Sequence, residues 1–109
     1  MSTQQLEQTY ELGVYPRRDI VLVRGSGAKL FDENDREYID CAANVGVSNI
    51  GHGNPVVAAA VHDQYLTLGN CYSMFYSPVR ARLAEKLASI APGNLNRVFF
   101  CNSGAEANE

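Results

Sequence analysis

The apolar and polar residues of the chain follow two different spacings. Three short runs rich in strand-forming residues, at 20–24, 28–32 and 37–41, are separated by turn-forming residues and predict an antiparallel meander. The third run also shows a rough two-residue alternation. Ahead of them, apolar side chains four residues apart within residues 4–12 predict a weak helix that needs a partner to pack on.

Helical spacing governs the middle of the chain. Pro55 suits the first position of a helix that Asn54 caps, and the apolar face of this helix continues to Leu68. A second apolar stripe begins after Ser77-Pro78 and ends at Ile90. We therefore predict two amphipathic helices in this region.

The last part of the chain combines an apolar run, a turn and a helix start. Residues 97–101 have the composition of a buried strand. After the turn, Ser103 and Glu106 have the spacing of a capping box, in which each side chain bonds the backbone N–H of the other residue. The unpaired N–H groups of a helix start attract anions. This turn is therefore interpreted either as a phosphate site or as a structural turn that binds no ligand.

This helix start has little helix behind it, because the sequence ends at Glu109. A well-formed start signal without a helix predicts a truncated chain. A single apolar strand after two helices also resembles the opening of an α/β layer whose other strands are missing.

Composition narrows the classes of function. Of the 109 residues, 46% are hydrophobic, and the net charge of -3 comes from mixed signs. Nothing electrostatic therefore favours nucleic acid or an anionic membrane as a partner. No apolar run has the length of a transmembrane helix, and the polar N-terminus lacks the layout of a signal peptide. The three separated cysteines indicate reduced thiols rather than a disulfide framework or zinc site, and we expect a cytoplasmic protein.

Few residues offer chemistry by themselves. His52 lies in the polar, glycine-rich segment 42–54, where an isolated histidine is interpreted as loop packing ahead of catalysis. His62 is interpreted as a surface residue of a helix. Lys29 and Lys86 are the only lysines, and neither has the desolvated setting that a covalent cofactor bond requires.

The aromatic loop at residues 71–77 has more than one interpretation. Tyr72, Phe75 and Tyr76 are suited to a ligand wall, to a core or to a subunit contact. The residues alone leave these alternatives open.

Three stretches carry a family resemblance. They are VRGSGAKLFD at residues 23–32 with EYID at 37–40, NVGVSNIGHGNP at 44–55, and RVFFCNSGAEANE at 97–109. Together they resemble the N-terminal part of class III, pyridoxal-phosphate-dependent aminotransferases. The most similar branch contains the acetylornithine, ornithine and carrier-protein-linked lysine-biosynthesis aminotransferases.

The resemblance implies an α/β fold, that of the fold type I pyridoxal-phosphate-dependent transferases. The expected division is an N-terminal helix and extended arm at residues 1–18, a small-domain meander, glycine loop and two helices at 19–93, and the start of the large cofactor domain at 94–109. The implied cofactor is pyridoxal 5'-phosphate. The implied substrates are a small-molecule amino donor and a 2-oxo acid acceptor, and the implied assembly of the full-length protein is a homodimer.

The resemblance also assigns site residues. The cofactor phosphate is expected at Ser103, Gly104 and Ala105, the helix start that the residues alone had indicated. The substrate channel is expected near Tyr76, Asn49 and His52. No catalytic residue is assigned, because the family's cofactor lysine, ring-pairing aspartate, ring-stacking aromatic and carboxylate-binding arginine all come later than residue 109.

Two departures from the family pattern bear on the substrate. Asn54 replaces the usual histidine before the proline, and residues 42–44 lack the common double glycine. Because the later residues are missing, the 109-residue chain alone is expected to be inactive and poorly folded. The alternative functions are a non-catalytic dimerisation or anion-binding module, and a related aminomutase or decarboxylase on the same fold.

Overall fold

A computed structural model describes residues 1–109. Along the chain, one helix is followed by three antiparallel strands and then by four helices. The chain divides into two compact units, Met1–Gln64 and Tyr65–Glu109. In chain order the elements are α1 (Thr3–Tyr10), β1 (Leu22–Ser26), β2 (Lys29–Asp32), β3 (Glu37–Ile39), α2 (Ala43–Gly46), α3 (Pro55–Leu68), α4 (Pro78–Ile90) and α5 (Gly104–Asn108). None of the helices has both the length and the apolar character that crossing a bilayer requires.

Helix α1 is held by polar contacts at its start and beyond its end. Ser2 and Gln5 form a capping box, with the Ser2 Oγ accepting from the Gln5 N–H at 3.2 Å and the Gln5 Oε1 accepting from the Ser2 N–H at 2.8 Å. Arg17, in the segment that follows, makes ion pairs with Glu7 and Glu11. The helix predicted within residues 4–12 is confirmed.

The three strands form the predicted meander in the order β1-β2-β3. Strands β1 and β2 pair antiparallel up to Ser26 opposite Lys29, and Gly27, in the turn between them, has a φ of 56°. Strands β2 and β3 pair with Leu30 opposite Tyr38. Strand β3 ends at Ile39, two residues short of the predicted end, because the Asp40 side chain bonds the backbone of the following turn.

Asp32 closes the turn between β2 and β3. Its Oδ1 accepts from the N–H groups of Asn34 and Arg36, both at 2.9 Å, and its Oδ2 accepts from the Tyr38 hydroxyl at 2.8 Å. Burial raises the pKa of this carboxyl, but these hydrogen bonds outweigh burial and hold the pKa below its ordinary value of 3.8. Asp32 is the only buried residue of the chain.

The two predicted amphipathic helices are confirmed with their caps. The Asn54 Oδ1 accepts from the N–H groups of Val56 and Val57 at the start of α3. The Ser77 Oγ accepts from the Arg80 N–H at 3.5 Å at the start of α4. Their apolar stripes remain exposed to solvent, however, and the structure has no buried apolar core.

The strand predicted at residues 97–101 is wrong, since this segment has no regular secondary structure. Its Phe99 side chain is 87% exposed. A strand forms only where a neighbouring strand satisfies its backbone groups, and the sheet contains β1, β2 and β3 alone. Apolar composition was therefore not sufficient to form this strand within residues 1–109.

Candidate functional site

The glycine loop, residues 42–54, contacts the hairpin turn between β1 and β2. The N–H of Gly27 donates to the His52 carbonyl at 2.9 Å, and the His52 N–H donates to the Gly27 carbonyl at 2.8 Å. A Cβ on Gly25 would lie 2.6 Å from the His52 Cβ, and one on Gly51 would lie 2.9 Å from the Gly27 oxygen. Glycine is therefore required at Gly51, where two backbones approach closely, and at Gly25, against which the His52 side chain lies.

The His52 side chain is held by a carboxylate. Its Nε2 lies 2.7 Å from the Asp40 Oδ2, and the two side chains are 27% and 10% exposed. The other carboxylate oxygen, Oδ1, accepts from the N–H groups of Ala42 at 3.0 Å and Ala43 at 2.8 Å. Asp40 thus contacts both the beginning and the end of the glycine loop.

These contacts keep Asp40 charged. The hydrogen bond with His52 is the largest cause that lowers the pKa of this carboxyl from its ordinary value of 3.8. The N–H groups of Ala43 and Ala42 act in the same direction, while burial opposes them. At neutral pH the loop is therefore tied to a carboxylate anion.

An unusual backbone turn follows Asp40. Helix α2 is a single left-handed turn, with φ values of 45° at Ala43, 50° at Asn44, 58° at Val45 and 84° at Gly46. Glycine and asparagine tolerate this region, but for other residues it costs roughly 1 kcal/mol or more each. Strain in a glycine-rich loop is typical of a site where conformation serves a function.

The sequence indicated the glycine loop as a functional segment, but it indicated neither the contacts of Asp40 nor the left-handed backbone of residues 43–45. The available signal was an aspartate at a strand end before two small residues, the pattern of a side chain that bonds the backbone two residues on. The missing double glycine at residues 42–44 was noted, and the structure shows that Ala43 and Asn44 adopt the conformation that glycine favours. His52 bonds the hairpin turn through its backbone and Asp40 through its side chain.

Asn49 lies in the same loop and is exposed to solvent. The Ser48 N–H donates to the Ala43 carbonyl at 2.8 Å, and the Gly51 N–H donates to the Ser48 carbonyl at 3.0 Å. Asn49 is therefore presented on a turn whose position depends on Ala43. Asn49 and His52 therefore both lie in the glycine loop of the first unit.

The aromatic loop belongs to the second unit. Arg80 donates a side-chain hydrogen bond to the Phe75 carbonyl, and the Phe75 N–H donates to the Tyr72 carbonyl at 2.9 Å. Tyr76 is fully exposed, so within residues 1–109 it is not a core residue. A ligand wall and a subunit contact remain the two interpretations of this side chain.

Ser103, Gly104 and Ala105 form the start of α5, also in the second unit. The Ser103 Oγ accepts from the Glu106 N–H at 3.2 Å, as the capping box predicts. The Glu106 carboxylate instead accepts from the Asn102 N–H at 2.6 Å, one residue before the predicted partner.

This helix start is open to an anion. The N–H groups of Gly104 and Ala105 donate to no acceptor in the structure. A Cβ built on Gly104 would have no atom within 4 Å, so the space beside this backbone is empty of protein. Two free donors beside an unobstructed glycine fit a phosphate group.

Neither lysine is placed for covalent chemistry. Lys29 makes an ion pair with Glu37 at 2.8 Å, and its side chain is 55% exposed. Lys86 is exposed on α4. Both amines are therefore solvated, and neither has the desolvated setting that a reactive lysine requires.

Comparison with known proteins gives a consistent result. The family described as "Aminotransferase class-III" matches residues 13–109. The chain is 40% identical to an acetylornithine aminotransferase of Methanopyrus kandleri over 109 residues, and 44% identical to a [LysW]-aminoadipate semialdehyde transaminase of Deinococcus radiodurans over 103 residues. These matches cover 100% and 94% of this chain.

A solved structure shows the same fold. The omega transaminase from Pseudomonas jessenii in complex with PMP superposes with a TM-score of 0.86 at 28% identity, covering 99% of this chain and 26% of the transaminase. Of the two relatives above, the chain covers 28% and 24%. The chain therefore spans about a quarter of the length of the curated relatives that it matches.

Proposed function

The chain belongs to the aminotransferase class III family, and from that membership we propose that it is the N-terminal part of a pyridoxal-phosphate-dependent aminotransferase. The full protein moves the terminal amino group of an acetylornithine-like or ornithine-like donor to 2-oxoglutarate. The acetylornithine aminotransferase of Methanopyrus kandleri supports this donor class, being 40% identical over 109 residues.

The observation that carries the proposal is the family match over residues 13–109, and the open start of α5 supports the place of the cofactor phosphate. Gly104 and Ala105 present two backbone N–H groups without acceptors, and no protein atom fills the space beside Gly104. In the proposal these two groups, with the Ser103 hydroxyl, hold the phosphate of pyridoxal 5'-phosphate. When bound, the cofactor supplies the carrier on which an amino group is transferred between two substrates.

Ser103 keeps this start in shape. Its Oγ accepts from the Glu106 N–H, which satisfies a third unpaired donor of the helix and leaves the first two free for a ligand. The Glu106 carboxylate accepts a hydrogen bond from the Asn102 N–H, and this bond partly offsets its negative charge near the phosphate site. The residues of this chain thus bind and orient the cofactor, and the later part of the protein completes the chemistry.

The substrate channel is proposed near Asn49, His52 and Tyr76. Asn49 is exposed on the glycine loop, and Tyr76 is exposed on the aromatic loop, which leaves both side chains free for other contacts. His52 is tied to Asp40, so its role in the channel is to shape the loop.

The assembly and location are further parts of the proposal. The full-length protein is a cytoplasmic homodimer, and residues 94–109 begin its large cofactor domain. The apolar stripes of α3 and α4 and the exposed Phe99 are surfaces for the rest of the full-length protein or a second subunit to cover.

The test measures cofactor binding and amino transfer in the full-length protein. A Gly104→Val variant places a branched side chain in the space beside the free N–H groups, where this chain has no atom within 4 Å to clash. We expect the affinity for pyridoxal 5'-phosphate to fall by roughly tenfold or more, as two hydrogen bonds to an anion are lost. Absorbance titration measures this affinity, and a coupled assay measures transfer from N-acetylornithine and ornithine to 2-oxoglutarate.

The matched control is Gly13→Val, because a Cβ on Gly13 also has no atom within 4 Å. This variant is expected to keep wild-type cofactor affinity. Equal affinities for all three proteins would refute the assignment of the phosphate site. A wild-type protein that binds no cofactor would favour the non-catalytic module, and release of a rearranged or decarboxylated product would favour the aminomutase or decarboxylase.

A further inference from the structure

We propose that Asp40 is a positioning residue, whose carboxylate joins the two ends of the glycine loop and so holds the left-handed turn of α2 for substrate binding. The inference rests on the proposed function, in which this loop faces the substrate. It assigns a task to a side chain that acts through the loop backbone.

The geometry of one carboxylate carries the inference. One oxygen of Asp40 accepts from the N–H groups of Ala42 and Ala43, and the other lies 2.7 Å from the His52 Nε2. The first two contacts lie at the beginning of the loop, and the third lies near its end. Because hydrogen bonds to a charged group are stronger than neutral ones, this arrangement is suited to closing the loop.

The far end of this connection is fixed to the sheet. His52 exchanges two backbone hydrogen bonds with Gly27, and its side chain lies against the backbone of Gly25. Asp40 itself directly follows β3, and its N–H donates to the Ala28 carbonyl at 2.8 Å. Through these bonds the Asp40 carboxylate connects the glycine loop to the three-stranded sheet, as well as joining the two ends of the loop.

The turn that follows needs such support. Ala43, Asn44 and Val45 all have φ values between 45° and 58°. Packing does not hold Val45, because its side chain is 95% exposed. Residues in this region persist where their surroundings fix them, and Asp40 contacts the N–H of the first strained residue.

The consequence reaches Asn49. The Ala43 carbonyl accepts from the Ser48 N–H at 2.8 Å, so the turn that presents Asn49 is built on the strained segment. Loss of the Asp40 contacts releases Ala43 and, with it, the position of Ser48 and Asn49. We therefore expect the affinity for the amino donor to depend on Asp40 more than the rate of chemistry does.

The experiment compares three variants in the full-length protein with bound cofactor. Asp40→Ala removes every contact of the carboxylate, and Asp40→Asn keeps an oxygen that can accept from Ala42 and Ala43. Asp19→Ala is the matched control, because Asp19 is exposed in the same unit and makes no hydrogen bond or ion pair. The readouts are amide hydrogen exchange of residues 42–52, KM for the amino donor and kcat.

For Asp40→Ala we expect both the exchange rates and KM to rise roughly tenfold or more, with kcat within about threefold of wild type. Asp40→Asn is expected to restore part of both effects, and it keeps the test decisive if the alanine variant does not fold. Asp19→Ala is expected to match the wild type in all three quantities.

Unchanged exchange in both Asp40 variants would overturn the inference. Raised exchange with an unchanged KM would also overturn the positioning role, because the loop would then be held without any effect on the donor. An Asp40→Asn variant as impaired as Asp40→Ala would contradict the role of the bonds to Ala42 and Ala43. If the wild type transfers no amino group, the proposed function fails, and the positioning role with it, while exchange still shows whether Asp40 closes the loop.

Discussion

Different kinds of contact stabilise each of the two units of the chain. In the first unit, hydrogen bonds link residues far apart in sequence, such as Gly27 with His52 and Asp40 with His52. In the second unit, the bonds around the aromatic loop and the helix starts join residues no more than five apart. The first unit thus has hydrogen bonds between distant residues, whereas these bonds of the second unit are local, and neither unit buries an apolar side chain.

This difference shows two ways in which a sequence specifies structure. A carboxylate that closes a turn, such as Asp32, needs only its neighbours in the chain. An apolar stripe such as that of α4 specifies a helix but not what covers it. The following predictions test this contrast, beginning with the largest expected effect.

The largest effect is expected when residues 1–109 are studied alone. Because no apolar side chain is buried, the free energy of unfolding lacks its main favourable contribution, and we expect no cooperative thermal transition. Circular dichroism melting and the dispersion of amide resonances measure this. A sharp melting curve with well-dispersed resonances would contradict the prediction.

The next effect compares one substitution in two contexts. Phe99→Ala is expected to leave the isolated chain unchanged, because the side chain is 87% exposed there. In the full-length protein, where we propose that this segment is covered, the same change should cost about 3 kcal/mol of unfolding free energy. Denaturant unfolding of the full-length protein measures this cost, and the circular dichroism spectrum of the isolated chain should be the same with and without the substitution. An unchanged unfolding free energy in the full-length variant would show that Phe99 stays exposed.

Asp32 tests the contribution of a local polar turn in the first unit. Asp32→Ala leaves the N–H groups of Asn34 and Arg36 and the Tyr38 hydroxyl without their acceptor. We expect the melting temperature of the full-length protein to fall by roughly 5 °C. Asp19→Ala, which removes an exposed carboxylate from the same unit, serves as the control and should shift it by less than about 1 °C.

The pH dependence of this effect is the smallest and most specific prediction. The native pKa of Asp32 is lower than its ordinary value of 3.8, so its stabilising contribution is present above that value and is lost as the pH falls through the native pKa. The difference in melting temperature between wild type and Asp32→Ala should therefore be constant at neutral pH and shrink below about pH 4. A difference that persists unchanged to pH 2 would contradict the lowered pKa.

The alkaline side provides a second check on the same pair. The hydrogen bond to Asp32 raises the pKa of Tyr38 above its ordinary value of 10.0. A raised pKa gives stability below the unfolded value and loses it as the pH rises through the native value. The contribution of the pair should therefore decline only above about pH 10, which a spectroscopic titration of the phenol would detect.

Much of the local structure could be predicted from the sequence. The caps Asn54 and Ser77, the hairpin turns and the stripe spacings determine α3, α4 and the meander, because each depends on residues close together in the chain. The open helix start at Ser103 was found for the same reason. Family membership followed from three short motifs and was confirmed by the comparisons.

Other features required the tertiary structure. That Asp40 reaches both Ala43 and His52 could not be derived from spacing, since it depends on how the glycine loop returns to the hairpin at Gly27. The left-handed turn at Ala43 and Val45 opposes the preference of those residues, so only longer-range contacts could have selected it. The strand predicted at residues 97–101 was wrong because a strand is a property of paired segments. By itself the sequence determined caps, turns and helical faces, whose energies are local, while the tertiary structure decided which backbone groups meet across the chain.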